Sequence, residues 1–214
     1  MKKIQNLFLK QKDVIILNKA LKEIKKLPNV ISIIQIGSST YSKNYKDIDI
    51  IIFFNKVLPS PNLGKINQKY KKHKIWIEGT YVEDYKITRG MKVFIKFFSN
   101  LKKKIVLYGK DPYKNKKISL NKLDIAHYIW YHYHFALYTL NYDSILSTSL
   151  NAMLTYKNIF PENKDETLKL FKKNYQNLAK FLPKNAEHYL KNTNSLNFRN
   201  LHKFFQESLI FFSK

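Results

Sequence analysis

Two aspartates, Asp47 and Asp49, carry the clearest chemical signal in this sequence. They flank Ile48 at the head of an apolar run that continues to Phe54. Side chains two positions apart in a strand project from the same face, so the two carboxylates would lie a few ångströms from each other. Like charges so placed repel unless a cation lies between them, and hard carboxylate oxygens suit Mg²⁺. Because acids are costly beside a buried strand, the pattern favours a metal-binding pair over a solvated strand start.

A short polar turn, Gly37-Ser38-Ser39, ends the preceding apolar run. A Gly-Ser turn leaves backbone N–H groups free at the start of the next segment, where a phosphate can dock. Lys43 and Lys46 lie in the loop between this turn and the aspartates, within reach of a triphosphate. The sequence therefore predicts a phosphate cradle beside the carboxylate pair, with Gly37, Ser38, Ser39, Lys43 and Lys46 as nucleotide-binding residues.

The stretch from Ile33 to Phe54 resembles the signature of the nucleotidyltransferase superfamily, typified by DNA polymerase beta, the CCA-adding enzymes and the aminoglycoside nucleotidyltransferases. The matching positions are Ile36, Gly37, Ser38, Asp47, Ile48, Asp49 and Ile50. Three features depart from the usual pattern. The loop is a residue or two shorter, it lacks the second glycine that many members carry, and Lys46 stands where a serine often precedes the first aspartate.

The resemblance implies a third carboxylate on a neighbouring strand, and Glu78 is the candidate. It is the acid inside the alternating segment IWIEGTYV, which resembles the corresponding strand of aminoglycoside adenylyltransferases. The alternative is an edge-strand glutamate paired with a lysine. By the resemblance, Asp47, Asp49 and Glu78 would hold two Mg²⁺ ions, with Mn²⁺ as a possible substitute. An NTP, with ATP favoured, would then donate its nucleotidyl group to a hydroxyl, with release of pyrophosphate.

The charge of the chain bears on the acceptor. The formal net charge is +24, and residues 1–118 hold 27 Lys and Arg against 8 acids. Such an excess predicts a polyanionic partner, RNA or tRNA first. AT-rich coding is the competing explanation, since Arg89 and Arg199 are the only arginines. The Glu78 segment favours an aminoglycoside-type small-molecule acceptor instead, and protein adenylylation or a catalytically idle RNA-binding fold also stays open.

The composition excludes several classes of function. The chain has no cysteine, so disulfides, thiolate metal sites and cysteine nucleophiles are excluded. Its basic N-terminus is interrupted by charges and does not form a signal peptide, and no apolar run reaches membrane-spanning length. We therefore expect a soluble, cytoplasmic protein without a membrane partner. The sequence does not determine the oligomeric state.

Hydrophobic periodicity predicts an α+β protein: a small mixed sheet flanked by helices, followed by an all-helical domain. We expect a catalytic domain over residues 1–117 and a helical bundle over 118–214. The predicted strands are 30–36, 47–54, 74–82 and 105–109, and the predicted helices are 6–27, 65–73, 83–101, 123–141, 143–158, 164–182 and 197–212.

An aromatic segment, AHYIWYHYHFALYTL, lies in the first helix of the predicted bundle. Helical spacing predicts a buried stripe of Ala126, Ile129, Trp130, Tyr133, Leu137 and Leu140. A neighbouring stripe of His127, Tyr131, His134 and Tyr138 either packs against other helices or stacks on a base or ribose.

Overall fold

Within the described part of the chain, four strands form one mixed sheet, in which the third strand along the chain pairs with the second, the second with the first, and the first with the fourth. The computed structural model describes residues 8–56, 61–83, 89–139, 145–191 and 198–214. The strands are β1 Val30–Ile36, β2 Ile48–Phe54, β3 Ile75–Tyr81 and β4 Ile105–Gly109. β1 runs antiparallel to β2 and β4, whereas β2 and β3 are parallel. Because β1 and β2 are antiparallel, the C-terminal end of β1 and the N-terminal end of β2 lie at the same end of the sheet.

Two helices cover one face of this sheet: α1 (Gln11–Ile24) and α2 (Pro61–Lys71). Strand residues that alternate along the chain point toward them, which is why the β-branched isoleucines of this face are buried. The resulting core includes Leu17, Ala20, Leu21, Ile24, Ile33, Ile48, Ile50, Ile52, Tyr70, Ile75 and Ile77. This core fixes the alternation of β2 and β3 and thereby decides which side chains point the other way.

The opposite face, called here the site face, carries Asp49, Ile51, Trp76 and Glu78. Paired positions on neighbouring strands share a face, and the register pairs Asp49 with Trp76 and Ile51 with Glu78. Further along β2, Phe53 is fully buried and meets Tyr113 edge to face at 5.4 Å between ring centroids. The site face is therefore apolar toward one end and polar toward the end where β2 begins.

The chain divides into two compact units: Met1–Asp84 with Lys102–Lys114, and Tyr85–Leu101 with Asn115–Lys214. The second unit is helical and consists of α3 Arg89–Ser99, α4 Lys122–Thr139, α5 Ile145–Tyr156, α6 Lys164–Asn174, α7 Gln176–Ala179, α8 Ala186–Lys191 and α9 Phe198–Ser213. The predicted boundary at 117 assigned 83–101 to the sheet domain. However, α3 belongs to the helical unit, because Val93 is buried in that unit's core.

The α+β class with a helical C-terminal region is confirmed, and most predicted elements are present with ends shifted by a few residues. β1 and β4 have the predicted bounds. The first helix begins at Gln11 rather than residue 6, although residues 1–7 lie outside the described part of the chain. The helix expected over 164–182 is interrupted after Asn174, and the short α8 was not predicted.

The aromatic helix α4 is buried along a different stripe from the one predicted. Ile129 and Tyr133 are buried as expected, but Trp130 is 49% exposed, and Ile125 and Ala136 are buried instead. A tryptophan is large enough to cover neighbouring apolar atoms while its outer edge stays in solvent. Tyr131 and Tyr138 of the second predicted stripe are exposed, and Leu140 lies outside the described residues.

Candidate active site

A tight turn at Gly37 connects β1 to the loop that leads to the aspartates. Gly37 has φ +77°, and one turn of 3₁₀-helix, Ser38–Thr40, follows it. The N–H groups of Thr40 and Tyr41 are bonded back to the carbonyls of Gly37 and Ser38, at 3.1 Å each. The Thr40 hydroxyl donates to the Gly37 carbonyl at 2.7 Å, which further fixes the turn. Turn conformations can direct successive backbone N–H groups toward an anion, so this turn is a candidate for phosphate binding.

The Asp49 carboxylate lies directly against this turn. A Cβ atom placed on Gly37 would be 2.5 Å from Asp49 Oδ2, closer than van der Waals contact allows. The register explains the proximity, since Asp49 is paired with Ile36, the residue before Gly37. Glycine is thus required at position 37 for two reasons: the positive φ and the space that the carboxylate occupies. The predicted cradle and one of the predicted metal-binding carboxylates therefore come together.

The two serines of the turn have different environments. Ser39 is fully buried, and its hydroxyl accepts a hydrogen bond from Gln35 Nε2 at 3.0 Å and donates to the Ile36 carbonyl at 3.4 Å. Its side chain therefore stabilises the turn and does not face solvent. Ser38 is only half-buried, and Lys43 is exposed in the following loop. Of the serine pair, Ser38 is the one whose side chain a nucleotide can reach.

Asp47 lies outside the strand, because β2 begins at Ile48. The strand alternation on which the expected alignment of its carboxylate with that of Asp49 was based begins at the next residue. Asp47 and Lys46 line a pocket of about 400 Å³ together with residues from the start of α1 and the turn after α2. The structure thus places Lys46 beside Asp47 in a basic pocket and places Asp49 beside Gly37.

Glu78 lies on the site face, on the strand next to the one that carries Asp49. Its register partner is Ile51, two residues beyond Asp49. Burial by the surrounding protein raises the pKa of its carboxyl. The residue nevertheless keeps more than a third of its surface exposed. The raised pKa and the exposed surface are compatible if protein atoms cover the carboxyl on one side and solvent reaches it on the other. The exposed side leaves Glu78 accessible to a ligand.

The separation of the three acids follows from strand geometry. Neighbouring strands are about 4.8 Å apart and residues rise about 3.3 Å along each, so a two-residue offset puts the Cα atoms of Asp49 and Glu78 about 8 Å apart. Within the described ranges, no group of three His, Asp or Glu side chains is close enough to hold a metal ion. Asp49 and Glu78 share a face, but in this arrangement the three carboxylates do not converge on one point.

Trp76 is a further residue of this site that the sequence reasoning did not single out. It is the register partner of Asp49 on β3 and is 40% exposed. The Lys71 ammonium lies 4.6 Å from the centre of its ring. An exposed indole beside a carboxylate offers a surface on which a base can stack. The clean alternation of Ile75, Trp76, Ile77 and Glu78 was the signal that placed Trp76 on the face of Glu78.

Comparison with known proteins gives no family for this chain: no protein-family model matches it, and no curated protein matches it. In the part of the chain that the structure describes, no helix is long and apolar enough to cross a membrane. Function is therefore inferred from the site itself.

Proposed function

We propose that this protein is an Mg²⁺-dependent nucleotidyltransferase that moves an NMP from an NTP, with ATP favoured, to a hydroxyl of an RNA acceptor. The observation that carries the proposal is the contact between the Gly37 turn and the Asp49 carboxylate. A backbone turn that could bind phosphate and a carboxylate suited to a divalent cation meet there, at the end of the sheet where β1 ends and β2 begins. This juxtaposition supports phosphoryl chemistry more directly than either feature alone.

The residues of the site have separate roles in this proposal. The Gly37 turn and Ser38 bind phosphate oxygens of the NTP, and Lys43 adds positive charge from the loop. Asp49 supplies the oxygen ligand beside the turn, while Glu78 orients or deprotonates the attacking hydroxyl. The desolvation that raises the pKa of Glu78 makes it a better proton acceptor than an ordinary glutamate. Trp76 is placed to stack on a base.

The donor set fits Mg²⁺ if the nucleotide completes the coordination. In nucleotide sites Mg²⁺ is commonly held by one or two carboxylates together with substrate phosphates and water. Asp49 beside the phosphate-binding turn meets that description without a third acid at the same point. When bound, the ion would neutralise charge that develops on the phosphoryl oxygens.

RNA is the proposed acceptor because the sheet unit is basic. Residues 1–84 and 102–114, which form this unit, contain 21 Lys against 8 acids. Aminoglycosides are cations, which this half of the chain would repel, whereas the phosphates of RNA would be attracted. The charge therefore favours RNA over the small-molecule acceptor that the Glu78 segment favours.

Label transfer tests the function. Purified protein is incubated with Mg²⁺, total RNA and each of the four α-³²P-labelled NTPs in turn. The expected result is label in the RNA fraction with one or two of the NTPs, lost in Asp49→Asn. The matched control is Asp165→Asn, which removes an exposed acid from the first turn of α6 in the helical unit. Absence of label from RNA, protein and small acceptors with all four NTPs would refute the proposal.

A second candidate is an RNA-binding protein with a nucleotidyltransferase-like sheet and no transfer activity. The lysine-lined pocket beside Asp47 favours polyanion binding whether or not a nucleotide is transferred. This alternative predicts that the protein binds RNA tightly and that Asp49→Asn does not change this affinity. It also predicts that no label is transferred from any of the four NTPs.

A further inference from the structure

A pocket of about 400 Å³ lies in the sheet unit at the start of α1, and it is defined here as the lysine pocket. Its lining contains five lysines, His73 and Tyr45, with Asp13 and Asp47 as acids. The lysines are Lys10, Lys12, Lys46, Lys72 and Lys74. All five lysines are exposed, and two carboxylates cannot neutralise five ammonium groups, so the pocket presents a net positive charge to solvent.

Hydrogen bonds between three separate chain segments build this pocket. Ile48, at the start of β2, donates its N–H to the Lys74 carbonyl at 2.9 Å. On the other side, the Lys10 N–H donates to the Tyr45 hydroxyl at 3.0 Å, and that hydroxyl donates to the Asp13 carboxylate. Lysines far apart in sequence are therefore held around one space by defined contacts.

The acids of the pocket leave most of its positive charge uncompensated. The Asp13 carboxylate is engaged by the neutral phenol of Tyr45. Among the described residues, lysines such as Lys69, Lys92 and Lys104 form ion pairs, whereas those that line the pocket do not. The pocket therefore keeps a positive potential that a phosphate can satisfy.

Lys74 has an unusual backbone for its residue type. It adopts φ +59°, in the left-handed region. The other described residues with positive φ, glycines aside, are all asparagine: Asn29, Asn115 and Asn158. Asparagine tolerates this conformation best after glycine, whereas a lysine there costs about 1 kcal/mol or more. A strained backbone at a residue that lines the pocket is the kind of outlier from which a functional use can be inferred.

We propose that the lysine pocket binds backbone phosphates of the acceptor RNA. The choice of RNA rests on the proposed function, whereas the pocket itself does not. Lysine binds phosphate as a mobile point charge, which suits a backbone recognised without regard to sequence. Because Lys46 and Asp47 are part of the lining, an RNA strand held here reaches the end of the sheet where the candidate active site begins.

The experiment removes two positive charges from the pocket, and at Lys74 the substituted residue suits the backbone conformation better than lysine does. Lys72→Asn/Lys74→Asn neutralises two lysines and puts a tolerant residue at φ +59°. The matched control is Lys110→Asn/Lys114→Asn, which removes two exposed lysines from the segment after β4, outside the pocket. Affinity for a labelled single-stranded RNA of about 12 nucleotides is measured by anisotropy over a range of salt, without NTP or Mg²⁺.

We expect the double variant to bind RNA roughly tenfold more weakly than the control. The slope of log K against log salt should become shallower by about 0.7 for each RNA phosphate that the protein no longer neutralises. Lys74→Asn alone should unfold at the same or a higher denaturant concentration than the parent, which separates weaker binding from impaired folding. Affinity and slope equal to those of the control Lys110→Asn/Lys114→Asn would overturn the proposal.

A parallel titration with ATP distinguishes RNA from the nucleotide as the source of the phosphate. Unchanged ATP affinity in the double variant supports the assignment to RNA. Loss of ATP affinity with RNA affinity retained would overturn it and assign the pocket to the triphosphate. Neither titration requires nucleotidyl transfer. Weaker RNA binding by the double variant would therefore support the pocket assignment even if the parent protein transferred no label. Conversely, if the double variant transferred label and bound RNA as tightly as the control, the pocket assignment would fail and the proposed function would stand.

Discussion

Asp49 Oδ2 lies 2.5 Å from the point that a Cβ atom would occupy on Gly37. The carboxylate fills the space that the glycine leaves, and the β1–β2 register holds the two residues together. Position 37 therefore connects the shape of the phosphate-binding turn to the position of the acid. Any side chain at position 37 must displace either the turn or the carboxylate.

Gly37→Ala is expected to destabilise the sheet unit by about 2 kcal/mol and to abolish nucleotidyl transfer. The added methyl combines a left-handed backbone with a clash against Asp49. Urea unfolding and label transfer measure the two effects. Gly64→Ala is the control, because a Cβ there, on helix α2, meets nothing within 4 Å. That variant should gain about 0.5–1 kcal/mol from helix propensity, and a similar gain for Gly37→Ala would contradict the prediction.

Glu78→Gln is expected to lower transfer at least about a hundredfold while slightly stabilising the protein at neutral pH. Burial raises the pKa of this carboxyl, so the folded state binds its proton more readily than the unfolded state. The ionised form therefore costs stability above that raised pKa, and the cost disappears below the ordinary value of 4.5. Solvent access keeps the gain under about 1 kcal/mol. Unfolding curves at pH 7 and pH 4 measure it, and an equal gain at both would argue against desolvation.

His132 on α4 should make the helical unit less stable in mild acid. Burial beside Tyr128, whose ring centre is 4.4 Å away, lowers the pKa of His132 to about 4 from 6.5. Between pH 6.5 and 4, His132 therefore binds a proton in the unfolded state more readily than in the folded state. Stability is complete above pH 6.5 and is lost as the pH falls toward 4, by up to about 3 kcal/mol.

Substitution of His132 by phenylalanine tests this assignment. His132→Phe should flatten the dependence of unfolding free energy on pH between 6.5 and 4. His127→Gln, which changes an exposed histidine of the same helix, should leave it as in the parent. If the two variants gave the same pH dependence, the acid sensitivity would have another source.

Asp124→Ala is expected to destabilise the helical unit by about 2 kcal/mol. Asp124 and Asn121 form a reciprocal cap at the start of α4: each side chain accepts the other's backbone N–H, at 3.0 and 2.9 Å. The carboxylate is 1% exposed and lies 3.8 Å from Lys92 on α3. Its removal uncaps the start of α4, because the Asn121 N–H loses its acceptor and the Lys92 ammonium loses its counter-ion. Thermal unfolding measures the loss, which should be absent in Glu187→Ala, where the acid is exposed.

The sequence determined the elements of the sheet because its signals there are local. Alternation in β3 correctly separated Ile75 and Ile77, which are buried, from Trp76 and Glu78, which are exposed. The Gly-Ser turn after β1 and the apolar run of β2 were likewise readable from spacing. The helical stripe of α4 was predicted less well, since which of several aromatic rings is buried depends on the helices packed against it.

Tertiary structure alone decided how the site residues are grouped. Asp47 and Asp49 are two positions apart, but Asp49 meets Gly37 while Asp47 lines the lysine pocket. Ser39 is buried, and its hydroxyl accepts a hydrogen bond from Gln35. The lysine pocket was not foreseeable, because its members come from segments as distant as Lys10 and Lys74. Residue types and local periodicity determined which side chains could do chemistry, whereas strand register and backbone hydrogen bonds determined which of them meet.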